Sequence, residues 1–181
     1  MYIKWGKVGR CGDPSLDFPQ KSAFFMFQGH ATCNLDVKSR LMIPAKFRKY
    51  MKPEADNKLI LTRGMENCVL VYPQDEWEKV KIALSGYNSF NKDQRYFIRE
   101  FFMYVNECEL DSQNRILIPP QLKEYAQLDK EVVMLGLMDK MEIWNPKLKD
   151  EYDKSQTQSY EEIAEKVSEI ITANNNGGIS T

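Results

Sequence analysis

The chain carries one ten-residue segment twice, and this internal repeat constrains the fold more than any other feature of the sequence. Leu35–Pro44 and Leu110–Pro119 align without a gap, and the same offset still pairs Tyr50 with Tyr125. Further along the chain the offset becomes slightly shorter, so that Pro73 matches Pro146. A repeat of this length within 181 residues indicates two copies of one structural unit.

Each copy contains about four short predicted strands, since its apolar residues cluster between turn-forming residues. In the first copy, a strand up to Leu35 and a strand beginning at Arg40 flank a polar turn. Pro44 then ends the second strand and suits the first turn of a short helix. A sheet this small is rarely stable alone in water, so the two copies must cover each other. The sequence therefore predicts a mainly β fold with added helices, in which both copies build one shared barrel.

The predicted organisation has five segments. These are a flexible N-terminal extension at 1–25, a first repeat at 26–73, connecting helices at 74–106, a second repeat at 107–146, and a C-terminal amphipathic helix with a disordered tail at 147–181. In the connecting helices, Phe97 and Phe101 share one side with Tyr104 and are predicted to be core. The apolar stripe from Tyr160 to Ile171 must also be covered, either by its own barrel or by a neighbouring subunit, and both alternatives stay open.

Several functional classes are not supported by the composition. The four cysteines are widely spaced and His30 is the single histidine, so neither a metal site nor a cofactor is predicted. The sequence offers no serine–histidine–acid arrangement and no glycine-rich phosphate loop, so no catalytic residue is predicted and the protein is not expected to be an enzyme. No apolar run approaches the roughly 20 residues of a membrane helix. We therefore expect a cytoplasmic protein with reduced thiols and no membrane partner.

A charge gradient lies behind the formal net charge of −1. Between Asp36 and Arg63, eight basic residues outnumber three acidic ones, whereas residues 155–181 carry four glutamates and one lysine. The position of charge matters more than its sum when a surface contacts phosphate groups. The near-neutral average therefore does not argue against a nucleic-acid partner for the first repeat.

Each copy places an aspartate and an arginine four residues apart, just ahead of an apolar strand. Asp36 and Asp111 are predicted to fix the turn, because an aspartate side chain bonds the backbone two residues on. Arg40 and Arg115 are predicted to contact nucleic acid, because the planar guanidinium fits phosphate oxygens and the edge of guanine. The alternative is that each pair only bridges its turn. Surface ion pairs contribute only ~0–1 kcal/mol, so stability alone is a weak reason for a repeated exposed arginine.

Four further loop residues complete the set that is predicted to bind nucleic acid. Lys38 adds a second positive charge beside the first arginine, and Gln113 offers hydrogen bonds at the matching position. Asn114 can adopt a positive φ at modest cost, which Ser39 does less readily. Loops that project from a rigid scaffold are common positions for binding residues.

Leu35–Pro44 and Leu110–Pro119 resemble the two signature segments of the MraZ family of bacterial transcriptional regulators, in the AbrB-like (SpoVT-AbrB) group. Similar segments also lie at Met26–Gly29, Cys68–Pro73, Glu76–Trp77, Cys108–Asp111, Lys130–Gly136 and Glu142–Trp144. The resemblance implies two tandem AbrB-like repeats that form one swapped-hairpin (double-split) β-barrel and assemble into rings of several subunits. It also implies that both Asp-x-x-x-Arg segments face DNA, although the usual glycine before the arginine is Ser39 and Asn114 here.

The function predicted from these features is sequence-specific DNA binding and transcriptional regulation, interpreted as autoregulatory repression. The resemblance implies double-stranded DNA with tandem promoter repeats upstream of the division and cell-wall gene cluster as the partner, a ring-like homo-oligomer, and association with the nucleoid. The alternative is an oligomeric scaffold or antitoxin-like module that holds a protein partner through the C-terminal helix. The near-neutral pI and the acidic C-terminal part favour this alternative slightly, and salt dependence distinguishes the two.

Overall fold

The structure is a computed structural model that describes residues 26–51 and 57–176. The predicted extension at 1–25 and the last five residues of the predicted tail lie outside this part of the chain. The strands are β1 (Phe27–Asn34), β2 (Arg40–Met42), β3 (Lys58–Arg63), β4 (Val69–Pro73), β5 (Asn106–Glu109), β6 (Arg115–Leu117), β7 (Glu131–Met138) and β8 (Lys140–Trp144). The helices are α1 (Ala45–Arg48), α2 (Gln74–Leu84), α3 (Lys92–Met103), α4 (Pro120–Tyr125), α5 (Pro146–Ser155) and α6 (Tyr160–Asn176).

Each repeat gives its first strand to the other repeat. β1 pairs antiparallel with β7, and β5 pairs antiparallel with β3, which produces a six-stranded sheet in the order β1-β7-β8-β4-β3-β5. β2 and β6 pair antiparallel as a separate two-stranded ribbon, hereafter the ribbon. The predicted fold class, mainly β with added helices and built from two exchanged repeats, is confirmed.

Equivalent residues of the two repeats face each other across an approximate twofold axis. In the ribbon, Leu41 pairs directly with Ile116, its counterpart in the second repeat. The ribbon adjoins the edges of the sheet through the two polar turns. Leu35 at the end of the first edge strand forms an isolated bridge with Leu41, and Asp111 donates its N–H to the Arg115 carbonyl at 2.9 Å beside the other edge strand.

One apolar core lies between the ribbon and the inner face of the sheet. Leu41 and Ile43 from the first repeat are fully buried, as are Ile116 and Ile118 from the second. Phe47 of α1 belongs to the same cluster. Successive side chains of a strand point to opposite faces, so the alternation of the ribbon residues places every second one in this core. Burying one such side chain contributes about 1.5–3 kcal/mol, and these contributions depend on both repeats being present.

The helices α2 and α3 cover the outer face of the sheet. The rings of Trp77 and Phe101 are stacked with their centroids 5.8 Å apart. The buried Thr62 hydroxyl donates to the Phe101 carbonyl at 3.0 Å, which attaches α3 to β3. Phe101 is buried as predicted, whereas Phe97 on the same helix remains 36% exposed.

Two helices follow the second repeat and differ in how they are held. Asn145 caps α5 by accepting the N–H of Lys147 at 2.9 Å, and Tyr152 packs on the Trp144 ring. The apolar stripe of α6 is exposed from Tyr160 onward, so residues 26–51 and 57–159 of its own chain do not cover it. In the part of the chain that the structure describes, no helix combines the length and apolar character needed to cross a bilayer.

The pairing of the exchanged strand β1 with β7 is expected to be destabilised by one methyl group added at Gly136. Gly136 lies opposite Gly29, and a Cβ atom there would lie 2.5 Å from the Gln28 backbone nitrogen and 2.9 Å from the Phe47 ring. We expect Gly136→Ala to lower the free energy of unfolding by about 1–3 kcal/mol, measured by urea denaturation. The control is Gly86→Ala, whose added Cβ meets no atom within 4 Å. Equal stability of the two variants would show that β1 can shift at no cost.

Candidate nucleic-acid interface

The first polar loop is organised by Asp36. Its Oδ1 atom accepts the backbone N–H of Lys38 at 2.8 Å and that of Arg40 at 2.9 Å. Ser39 closes the turn by donating its N–H to the Asp36 carbonyl at 2.9 Å, and it has a positive φ of 58°. Aspartate is suited to this position because its short side chain reaches the backbone two residues on.

The second polar loop repeats the same geometry. Asp111 Oδ1 accepts the backbone N–H of Gln113 at 2.8 Å and that of Arg115 at 2.9 Å. Asn114 donates its N–H to the Asp111 carbonyl at 2.8 Å and also has a φ of 58°. The three residues between aspartate and arginine differ in the two copies, so the shared aspartate and arginine account for the common geometry.

Each arginine is held by the aspartate four residues before it. Arg40 Nε donates to Asp36 Oδ2 at 2.7 Å, and Nη2 lies 2.6 Å from the same oxygen. The corresponding distances from Arg115 to Asp111 Oδ2 are 2.8 and 2.7 Å. A guanidinium has five N–H donors in a planar fork, so the aspartate fixes the plane of the fork through Nε and Nη2 alone.

The same hydrogen bonds keep both carboxylates ionised. The side-chain hydrogen bond from Arg40, with backbone hydrogen bonds from Arg40 and Lys38, lowers the pKa of Asp36 to about 2. The equivalent hydrogen bonds from Arg115 lower the pKa of Asp111. The stabilisation is therefore fully present at neutral pH and disappears only as the pH falls toward these lowered values.

The ribbon brings the two loops together within one chain. Arg115 Nη1 lies 3.8 Å from Asp36 Oδ2, the oxygen that also binds Arg40, so one carboxylate lies near both arginines. The two arginine side chains are 32% and 21% exposed. They are less exposed than expected for arginines on projecting loops, because each guanidinium lies against its own carboxylate. The sequence alone did not show that the two loops adjoin.

The other four predicted DNA-binding residues differ in their solvent exposure. Lys38 and Gln113 are exposed, whereas Ser39 and Asn114 are half-buried at the base of the turns. Lys123 of α4 is not among the predicted residues, but its Nζ donates to the Ser39 hydroxyl at 3.3 Å.

A signal for Lys123 is nevertheless present in the sequence. Its counterpart in the first repeat is Arg48, so both repeats carry a cation in the short helix that follows the ribbon strand. The two cations are used differently, because Arg48 Nε donates to the Ile43 carbonyl at 3.1 Å. Only the lysine therefore reaches a polar loop.

Other parts of the described chain offer weaker candidates. Residues 26–51 and 57–176 contain no group of three or more histidine, cysteine, aspartate or glutamate side chains that could hold a metal ion. A cavity of about 200 Å³ lies between β3 and α3 and is lined in part by Arg63 and Glu100. These two side chains form an ion pair at 2.9 Å, and Arg63 also lies over the Tyr125 ring, so the charge at this cavity is used in packing.

Exchanged first strands, a two-stranded ribbon and duplicated Asp-x-x-x-Arg loops define a class of tandem-repeat, swapped-hairpin proteins with paired polar loops. A family model described as "MraZ protein, putative antitoxin-like" matches this chain twice, over residues 26–100 and 101–172. The chain belongs to the MraZ family.

Curated relatives support this assignment over most of the chain. A protein of Desulforamulus reducens named "Transcriptional regulator MraZ" is 40% identical over 146 residues, which cover 81% of this chain and 100% of the relative. A protein of Halothermothrix orenii with the same name is 45% identical over 139 residues, covering 77% and 94% of the two chains. A Carboxydothermus hydrogenoformans protein, again of that name, is 41% identical over 146 residues, covering 81% and 99%.

One residue in each loop has a left-handed backbone conformation, so exchanging the residue types at these two positions tests their effect on stability. Ser39 and Asn114 have the same φ, and asparagine tolerates this region better than serine. We expect Ser39→Asn to raise the free energy of unfolding by about 0.5–1 kcal/mol and Asn114→Ser to lower it by a similar amount, both measured by thermal denaturation. Changes of the same sign in both variants would contradict the conformational explanation. Such a result would indicate that the hydrogen bond from Lys123 to Ser39 affects stability more than the backbone conformation does.

Proposed function

We propose that this chain is a DNA-binding transcriptional regulator that contacts DNA with its two Asp-x-x-x-Arg loops. The observation that carries the proposal is the duplicated geometry in which an ionised aspartate holds each arginine fork at the surface. The names of the relatives support the same class of function. The proposed DNA-contacting residues are Lys38, Ser39, Arg40, Gln113, Asn114 and Arg115, and the proposed turn-fixing residues are Asp36 and Asp111.

The aspartates would contribute by orienting the arginines before DNA arrives. A long flexible side chain loses conformational entropy when it is immobilised in an interface, at about 0.5–1.5 kcal/mol per side chain. Arg40 and Arg115 are already bound through Nε and Nη2, so part of this cost falls on folding instead of on DNA binding. The remaining N–H groups suit phosphate oxygens or the O6 and N7 atoms of guanine.

One chain makes few phosphate contacts, so we further propose that the protein acts as a ring-like homo-oligomer. Neighbouring subunits that present the same loops would bind successive DNA repeats at a high effective concentration. The targets proposed are tandem promoter repeats upstream of the division and cell-wall gene cluster. Bound protein would occlude the promoter and repress its own gene, which places it in the cytoplasm on the nucleoid. This role needs no enzymatic activity.

A second candidate function follows from α6. Its apolar stripe, including Tyr160 and Val167, is exposed in this chain, and an amphipathic helix ordinarily buries such a face against a partner. A scaffold or antitoxin-like module would use this stripe to hold a protein, with no need for the arginines of the ribbon.

The two candidates differ in their response to removal of the arginines. We expect Arg40→Ala/Arg115→Ala to weaken binding to the DNA upstream of the gene by at least about 30-fold and to reduce the salt slope by about 2, because two cations no longer neutralise phosphate groups. Gel-shift titration at two salt concentrations, with a scrambled probe alongside, measures both effects. The matched control is the exposed Arg99→Ala on α3, expected to bind like the wild type.

Circular dichroism and light scattering show whether the double variant keeps its fold and assembly. Loss of the fold or of the assembly in the double variant would mean that the arginines have a structural role. Equally weak binding to every probe by wild type and variant would instead favour the scaffold function.

A separate variant tests the orienting role of the aspartate. Asp36→Asn keeps an Oδ1 acceptor for the turn but places an amide against the Arg40 guanidinium and removes one negative charge near the DNA. We expect affinity for scrambled DNA to rise through the charge change. Discrimination between operator and scrambled DNA should fall by about tenfold, because the arginine is no longer oriented. If both probes bound more tightly by the same factor, the aspartate would act only through its charge.

A further inference from the structure

The outward face of the ribbon carries two apolar side chains besides its two arginines. In the antiparallel register, Arg40 lies directly opposite Leu117, and Met42 lies directly opposite Arg115. Met42 and Leu117 are 55% and 56% exposed. They also occupy equivalent positions of the two repeats.

The fold does not require apolar side chains at these two positions. Leu41 and Ile116, the alternate residues of the same strands, are fully buried and supply the packing between ribbon and sheet. A strand with one face on the core ordinarily presents polar residues on the other face. Single exposed apolar residues are common, but here both symmetry-related positions are apolar, and each is the direct neighbour of a proposed DNA-contacting arginine.

The dimensions of the ribbon suit the major groove of DNA. Its two strands lie about 4.8 Å apart, and directly opposed side chains have Cβ atoms about 4.5–5.5 Å apart. A major groove about 12 Å wide admits such a two-stranded ribbon, with the outward face toward the base edges. In that groove the 5-methyl of thymine is the group that an apolar side chain recognises.

We propose that Met42 and Leu117 contact thymine 5-methyl groups in the major groove, beside the positions contacted by Arg40 and Arg115, and so contribute to sequence specificity. This inference rests on the proposed DNA-binding function. The arginines provide most of the affinity, whereas the apolar pair distinguishes thymine from cytosine at the neighbouring base pairs. The ribbon then recognises DNA as one unit, with one cation and one apolar side chain in each cross-strand pair.

The test removes the methyl groups from the DNA and the side chains from the protein in parallel. The probe is the DNA upstream of the gene, in which the thymines of the segment protected in footprinting are replaced by uracil, which pairs identically but lacks the methyl. We expect wild-type binding, measured by fluorescence anisotropy, to weaken about fourfold for each recognised methyl group that is removed. Met42→Ala/Leu117→Ala should bind the thymine probe about as weakly as the wild type binds the uracil probe, and should bind both probes equally.

The matched control is Met65→Ala/Leu137→Ala, which truncates the same two residue types at exposed positions outside the ribbon. It should behave like the wild type on both probes, and circular dichroism should show all proteins folded. Equal wild-type binding to thymine and uracil probes, with operator preference over scrambled DNA intact, would overturn this inference alone. So would a uracil effect that persists unchanged in Met42→Ala/Leu117→Ala. Absence of any operator preference in the wild type would instead overturn the proposed function, and this inference with it.

Discussion

The exchange of first strands between the repeats is the constraint on which the rest of the structure depends. β1 finds its hydrogen-bonding partner in β7 and β5 finds its partner in β3, so neither repeat completes a sheet by itself. The ribbon depends on the same exchange, because Leu41 and Ile116 are buried only when strands from both copies are present. Core, ribbon and loops therefore form together, and a defect in one repeat is expected to reach the other.

The exchange also explains why the polar loops adjoin. Each loop connects a first strand, which pairs with the other repeat, to a ribbon strand that pairs with its own counterpart. Antiparallel pairing about the twofold axis then places the two turns side by side, with Arg115 3.8 Å from the carboxylate of Asp36. Each Asp–Arg pair could have served only to stabilise its own turn, but the two pairs together form a cluster of four charged side chains. The cluster holds two oriented guanidiniums beside two carboxylates, which is the arrangement that the proposed contacts with DNA require.

Much of the fold and part of the candidate site follow from the sequence. The duplication can be read by aligning the chain with itself, and the turns can be read from a few adjacent residues. The repeat indicated that two copies share one core, and the position of Asp36 indicated a turn in which the carboxylate bonds the backbone. Contacts that depend on register between the repeats were not accessible, since one residue of slip changes every cross-strand neighbour. The approach of Lys123 to Ser39 and the placement of Met42 opposite Arg115 belong to this group.

The symmetry of the ribbon does not extend to the rest of the molecule. Gly29 and Gly136 lie opposite each other where β1 and β7 pair, and their counterparts in the other half are Tyr104 and Arg63. Those larger residues form a stack in which the Arg63 guanidinium lies 5.2 Å from the Tyr104 ring and also pairs with Glu100 of α3. At these positions the backbones of β1 and β7 lie close together. In the other half of the sheet, the larger side chains at the equivalent positions attach α3. The ribbon keeps its twofold geometry, with Leu41 paired to Ile116 and both fully buried, although the two halves of the sheet behind it differ at these positions.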